Sequence, residues 1–214
     1  ICDQLQDPDE AKGIVDRGVT RIITPGTVTE DTLLEDKSNN YLMAVLETNT
    51  LMGLSWIDLS TGQFEVEDVV PVRLFDEFAR LNPSEVLLPE ETVRNNTSFM
   101  EKIRAECKAM ITSRPDWEFS VDTAYQTLTD HFGTASLEGF GCETVKPALG
   151  AAGAVIHYLK ETQKTSLRHI IKMQHHQISN RVLMDKATQQ SLELTQTIRN
   201  GDREGSLLGV LDQT

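Results

Sequence analysis

YLMAVLETNTLMGLSWIDLSTGQFEVE, residues 41–67, is the stretch whose reading decides the fold. Tyr41-Leu42-Met43-Ala44-Val45-Leu46 is a continuous apolar run of strand length, the pattern of a strand buried on both faces. Gly53-Leu54-Ser55-Trp56-Ile57-Asp58-Leu59 follows, then the turn Ser60-Thr61-Gly62, then Gln63-Phe64-Glu65-Val66-Glu67. The last segment alternates, which predicts one solvated face. Two strands joined by so short a glycine-containing turn form a hairpin, so residues 41–67 read as a three-stranded antiparallel meander.

Downstream the period lengthens. Leu74, Phe75, Phe78 and Leu81 fall on one face of a helix, with Arg73, Asp76, Glu77 and Arg80 on the other. Asn82-Pro83 stops it, because proline disfavours helical geometry in the residue before it. Ser84-Glu85-Val86-Leu87-Leu88 then reads as a short apolar strand, and a helix between strands is the crossover that parallel pairing needs. A weaker helix covers 97–106, with Phe99, Met100 and Ile103 inward. Met110 to Thr112 and Trp117-Glu118-Phe119 read as strand fragments around Pro115, and Asp122 to His131 as a helix closed by Gly133. Residues 133–141 suit a close turn that packs an aromatic between helices. The small residues after Pro147, from Ala148 to Ala154, predict a buried helix that turns polar at 160–164. Residues 165–180 read as irregular. A further helix from Arg181 carries Leu183, Met184, Ala187, Leu194 and Ile198.

Upstream, residues 1–35 are short strands and turns, with Thr24-Pro25-Gly26-Thr27 matching a type II turn. Residues 31–40 read as a polar linker. Three antiparallel strands, helix, strand, helix, strand, helix is the order of a ribonuclease H-like α/β fold with a mixed sheet. The start of an all-α domain follows it.

The chain has 214 residues, 39% apolar and 25% charged, as expected of a protein with a buried core. Its net charge of −13 has the wrong sign for gripping phosphate backbones, so this piece is expected to bind little or no DNA by itself. Cys2, Cys107 and Cys142 offer neither a CxxC pair nor an even disulfide set, and are expected to be buried or inert thiols in a reducing cytoplasm. No apolar run reaches the roughly 18 residues that span a bilayer, so no membrane association is expected. The opening Ile1-Cys2-Asp3-Gln4 lacks a start methionine. The closing run has a helix-start residue, Ser206, then Leu207, Leu208, Val210 and Leu211 without a stop signal. Both ends suggest a piece of a longer protein.

The fold hint makes paired carboxylates the first chemistry to test, because two-metal nucleases cluster acidic oxygens around ions about 4 Å apart. The first strand offers only Glu47, at its end, and the fourth only Glu85, at its start. Asp58 and Asp122 remain, and nothing obliges any pair to meet, so these acids are expected to cap turns and helices. A metal-dependent ribonuclease H-like nuclease stands as the alternative. His175 and His176 are adjacent in a polar loop. His157 and His169 lack partners at metal-ligand spacing. No serine or cysteine sits in a recognisable triad context. Gly139-Phe140-Gly141 is no phosphate loop. No catalytic, cofactor-binding or metal-binding residue is therefore expected.

Several stretches together resemble one family. They are Ile1-Cys2-Asp3-Gln4, Asp7-Pro8, Ala11-Lys12-Gly13, Val15-Asp16-Arg17 and Arg21-Ile22-Ile23-Thr24-Pro25-Gly26-Thr27. Then come Asn39-Asn40-Tyr41-Leu42-Met43-Ala44, Asp58-Leu59-Ser60-Thr61-Gly62-Gln63-Phe64 and Pro83-Ser84-Glu85-Val86-Leu87. Phe132-Gly133, Leu137-Glu138-Gly139-Phe140-Gly141, Ala151-Ala152-Gly153-Ala154, Thr162-Gln163, Met184-Asp185-Lys186-Ala187-Thr188, Leu192-Glu193-Leu194 and Leu207 to Thr214 complete the set. Their order and spacing resemble the bacterial MutS family of DNA mismatch-recognition proteins, over essentially the whole chain.

The resemblance implies that residues 1–36 are the end of a mismatch-recognition domain and its linker. It makes residues 37–180 a ribonuclease H-like connector domain without nuclease chemistry, and 181–214 the beginning of a helical core or lever domain. The family's Phe-x-Glu wedge would precede Ile1, Trp117-Glu118-Phe119 being unrelated, and its Walker ATPase would follow Thr214. ATP and Mg2+ would thus belong to the parent, itself a homo-oligomer that binds mismatched double-stranded DNA. The connector would transmit between the two ends and help to dock the next repair protein, MutL. Tyr125, Gln126 and Thr129, on the face of the helix from Asp122, are the residues expected to contribute to that surface. Gln189-Gln190-Ser191 departs from the Arg-Arg-Asn common in the family, which weakens any phosphate contact there.

Overall fold

The computed structural model describes residues 1–4, 17–29, 39–164, 167–177 and 184–211. Near the start, β1 (Cys2–Gln4) pairs antiparallel with β2 (Arg17–Val19). The body is a six-stranded mixed sheet. β3 (Tyr41–Glu47), β4 (Met52–Asp58) and β5 (Gln63–Val69) form the antiparallel meander, with Leu42 opposite Ile57 and Ile57 opposite Phe64. α1 (Leu74–Leu81) crosses to β6 (Glu85–Pro89), which runs parallel to β3. α2 (Glu90–Asn95) and α3 (Thr97–Glu106) lead to β7 (Met110–Arg114), parallel to β6. α4 (Val121–Phe132) and α5 (Lys146–Gln163) follow, and β8 (Gln174–His175) adds in parallel to the far edge of β5. Across the sheet the order is β7-β6-β3-β4-β5-β8. Two short helices, α6 (Lys186–Ser191) and α7 (Leu207–Leu211), end the described chain.

Alternation along each strand divides the core in two. Leu42, Ala44, Ile57, Phe64, Val66 and Leu87 pack with α4 and α5, whereas Met43, Val45, Leu54, Trp56, Val69, Val86 and Leu88 pack with α1 and α3. Every residue of β4 is buried, as expected of a strand covered on both faces. α5 lies against β4 at very short range: a Cβ on Gly53 would stand 2.1 Å from the Pro147 carbonyl carbon. Phe140 packs on Phe132 with ring centroids 4.7 Å apart, as the glycine-rich turn implied.

Several sequence expectations need correction. The alternating face of β5 is not solvated, because α1 covers it; Glu65 and Glu67 are both buried. Glu77, assigned outward on α1, is buried as well and pairs with Arg73 at 3.0 Å and Arg80 at 2.7 Å. Residues 116–119 form a 3-10 turn that buries Phe119. Within 165–180, residues 174 and 175 make β8, which gains order from β5 rather than from its own pattern. Of the helix expected from Arg181, the described residues show Lys186–Ser191, started by Asp185 accepting from the Thr188 amide at 2.7 Å. Leu194 and Ile198 lie in turns, and Leu183 is outside the described residues, as are residues 31–38 of the linker. Of the three thiols expected to be buried or inert, Cys142 is buried, Cys107 half-buried and Cys2 exposed. Ser206 does start a helix, its Oγ accepting from the Gly209 amide at 3.1 Å.

Candidate functional site

The segment 21–29 docks on the sheet through one carboxylate. Thr24-Pro25-Gly26-Thr27 is a 3-10 turn, not a type II turn, and Gly26 lacks the positive φ that a type II turn requires. The glycine is needed for approach instead. A Cβ there would stand 2.8 Å from the Glu85 Cβ and 2.9 Å from the Leu42 Cδ1. The turn is closed on itself by the Thr24 amide donating to Thr27 Oγ1 at 2.9 Å. Arg21 donates to the Thr27 carbonyl and to Thr29 Oγ1, at 3.2 and 2.7 Å.

Glu85, fully buried at the start of β6, receives that turn. Its Oε2 accepts from Thr24 Oγ1 at 2.6 Å and from the Gly26 amide at 3.0 Å. Its Oε1 accepts from Thr112 Oγ1 on β7 at 2.6 Å and from the Tyr158 hydroxyl on α5 at 2.7 Å. A buried carboxylate is tolerable when donors occupy its lone pairs, and four do so here. Burial, reinforced by Glu85, pushes the Tyr158 phenol up to about 12, so the hydroxyl remains a donor at neutral pH. The Ile22 amide donates to the Thr162 carbonyl at the end of α5 at 2.7 Å, and Asn40 Nδ2 to the Pro25 carbonyl at 2.8 Å. One carboxylate thereby joins an incoming segment, two strands and the longest helix.

The network extends to the surface through Arg114 at the end of β7. Its guanidinium lies 5.2 Å from the Tyr158 ring centroid and pairs with buried Glu118 at 2.7 Å and exposed Glu161 at 2.5 Å. Sequence reading named Glu85 only as a nuclease acid. The signal that it does something else was a carboxylate opening an otherwise apolar strand, together with a Thr-Pro-Gly-Thr turn rich in donors.

The other acids are spent locally. Asp58, 1% exposed, accepts from the Ser60 amide and Oγ at 2.9 and 2.6 Å, closing the hairpin turn. Glu47 accepts from Asn96 Nδ2 at 2.8 Å, and Asp122 is exposed in the first turn of α4. Among the described residues no three His, Cys, Asp or Glu side chains come together in a group that could hold a metal ion. His157 Nε2 lies 2.9 Å from Thr127 Oγ1, and His131 Nε2 donates to the Ile170 carbonyl at 3.0 Å. Burial lowers the pKa of both. His175 and His176 are in and beside β8, not in a loop, and His176 is buried against Glu65. Burial pushes the Cys142 thiol up to about 11, far from a reactive thiolate.

The three residues expected to form a docking face separate. Gln126 is exposed and donates to Asp130 at 2.7 Å. Tyr125 is half-buried and donates to Glu143 at 2.9 Å; that bond raises its pKa. Thr129 is buried, its hydroxyl turned back onto the carbonyls of Tyr125 and Gln126 at 2.9 and 3.0 Å, so it does not lie on the exposed face. Among the described residues no helix is long and apolar enough to cross a membrane.

Fold and site together define a mixed α/β domain that fastens an incoming segment to its sheet through a buried carboxylate. Residues 40–171 match the family model for MutS domain II, and residues 1–32 that for MutS domain I. The chain belongs to the MutS family. It is 41% identical to the DNA mismatch repair protein MutS of Alkaliphilus metalliredigens over 218 residues, covering all of this chain and 25% of that protein. The proteins of the same name from Halothermothrix orenii and Symbiobacterium thermophilum are 42% and 43% identical, with all of this chain and 24% and 25% of those proteins covered. The chain thus spans about a quarter of the length of these relatives. The domain I match ends just beyond the Thr24–Thr27 turn, so Glu85 lies where the two matched regions meet.

Proposed function

We propose that this chain is the coupling region of a longer cytoplasmic mismatch-repair protein, carrying the end of the DNA-reading domain, the connector and the start of the lever. Residues 1–36, 37–180 and 181–214 are the corresponding units. The connector is ribonuclease H-like in this reading: the order β5-β4-β3-β6-β7, with the first three strands antiparallel and the last two parallel to β3, supports it. ATP and Mg2+ act elsewhere in the parent, and the piece itself catalyses nothing. The observation that carries the proposal is the Glu85 junction. A displacement of residues 21–29 cannot occur without breaking hydrogen bonds to β6 or α5, so movement of the DNA-reading end is passed to the sheet as a rigid body.

The test uses the full-length protein carrying Thr24→Val, which removes the hydroxyl that donates to Glu85 and keeps the side-chain volume. Mismatch affinity should stay within about threefold, whereas the mismatch-provoked change in nucleotide exchange should fall by about tenfold or more, the scale of one or two lost hydrogen bonds. An unchanged nucleotide response would refute transmission through this junction. Docking of MutL on α4 belongs to the same reading, now with Gln126 and the exposed edge of Tyr125 as its residues and without Thr129. Gln126→Ala in the full-length protein should abolish MutL recruitment and spare mismatch binding; normal recruitment would remove α4 from the proposal.

A further inference from the structure

The face of β5 beneath α1 holds a buried group that no structural role accounts for. Glu67 is 2% exposed, and neither of its carboxylate oxygens has a hydrogen-bond partner among the described residues. The nearby cations are already engaged. Arg73 and Arg80 both pair with Glu77, and the Arg80 guanidinium also lies 5.2 Å from the Trp56 ring centroid. His176 Nδ1 is committed to Glu65 at 2.7 Å. The charged groups facing Glu67 are therefore Glu77 and Arg80 on α1, Arg73 in the turn before α1, and His176 beside β8. β4 sets only Leu54 opposite it in the ladder. An ionised carboxylate in this position gains no hydrogen bond and stands beside a second carboxylate. Consistently, desolvation and then Glu77 raise its pKa to about 7.

The same spot is where the chain leaves the domain. β8 is two residues long and is held to β5 by the His176 amide donating to the Val66 carbonyl at 2.9 Å, by the His176–Glu65 pair, and by the His176 ring against Trp56 at 5.2 Å. α6, on the exit segment, packs against α1. β8 thus flanks the strand that carries Glu67, and α6 backs α1, the helix whose Glu77 and Arg80 face it. We propose that Glu67 is a proton-operated latch: protonated, it lets β8 and α1 close on β5, and on losing its proton it favours release of the β8 strand and the exit segment.

Amide exchange of the 214-residue chain, corrected for the intrinsic pH dependence, reads the latch at residues 174–177, with a carboxyl-carbon titration of Glu67 alongside. Opening of the β8 segment should increase about tenfold between pH 6 and pH 8, the factor linkage gives for a proton held near 7 when closed and at its ordinary value when open. In Glu67→Gln, which mimics the protonated acid, opening should be the same at both pH values. Equal protection of the unaltered chain at pH 6 and 8 would overturn the latch. So would a Glu67→Gln chain that keeps the rise, which would place the proton on a histidine. Should the variant fail to fold, the titration of the unaltered chain decides: a Glu67 midpoint near 7 supports the latch and one below about 5 refutes it.

Discussion

At the scale of the residue, two buried carboxylates a short distance apart in sequence behave oppositely because their surroundings differ. Glu85 sits among four donors and needs none of its oxygens solvated. Replacing it by Gln puts an amide NH2 against hydroxyl and amide donors, so Glu85→Gln should lower the urea-unfolding free energy by roughly 2–4 kcal/mol. Tyr158→Phe removes one donor and should cost less, about 1 kcal/mol. Glu67 has no donor among the described residues, and its acid form is the one the fold accommodates. Its pKa is raised from 4.5 to about 7, so its stabilising contribution is complete below about pH 4.5 and is lost as pH climbs through 7. The loss attributable to this one group is up to about 3 kcal/mol on linkage arithmetic. Unfolding curves at pH 5 and pH 8 should therefore differ, and the difference should shrink in Glu67→Gln.

At the scale of the element, what could be read in the sequence was what local pattern controls. The meander came from a continuous apolar run and an alternating one, α1 from its 3.6 period and Pro83, and α5 from its small residues. Gly53 shows why α5 had to be small and close. Gly53→Ala drives a methyl into the Pro147 backbone at 2.1 Å, and α5 must lift from β4. It should cost about 3 kcal/mol or more, measurable as a fall in thermal midpoint that no loop glycine such as Gly139 would produce. What was illegible depends on partners distant in sequence. β5 alternates like a half-solvated strand, yet its polar face is buried: Glu65 pairs with His176 there, Glu67 finds no hydrogen-bond partner among the described residues, and Arg73 and Arg80 pair with Glu77 on α1. β8 is a strand only because β5 offers an open edge 111 residues away, the separation of Glu65 and His176. The turn at 24–27 looked like type II from composition, and only the nearness of Glu85 and Leu42 explains its glycine. The site was legible in its parts and not in its assembly.

At the scale of the whole molecule, residues matched to one MutS domain are fastened to those matched to the next by direct hydrogen bonds: Thr24, Gly26 and Ile22 on one side, Glu85 and Thr162 on the other. The exit of the same domain is held more lightly, by a two-residue strand and a histidine pair. The proposed coupling role would require a firm entrance and an exit able to release, because motion received without loss must still be delivered through an element with two arrangements. The central claim is the firmness of the entrance, and amide hydrogen exchange of Ile22 and Gly26 measures it most directly. Both amides should exchange as slowly as the central amides of β3, through global unfolding alone. Exchange of either by a local opening that leaves β3 protected would contradict the account.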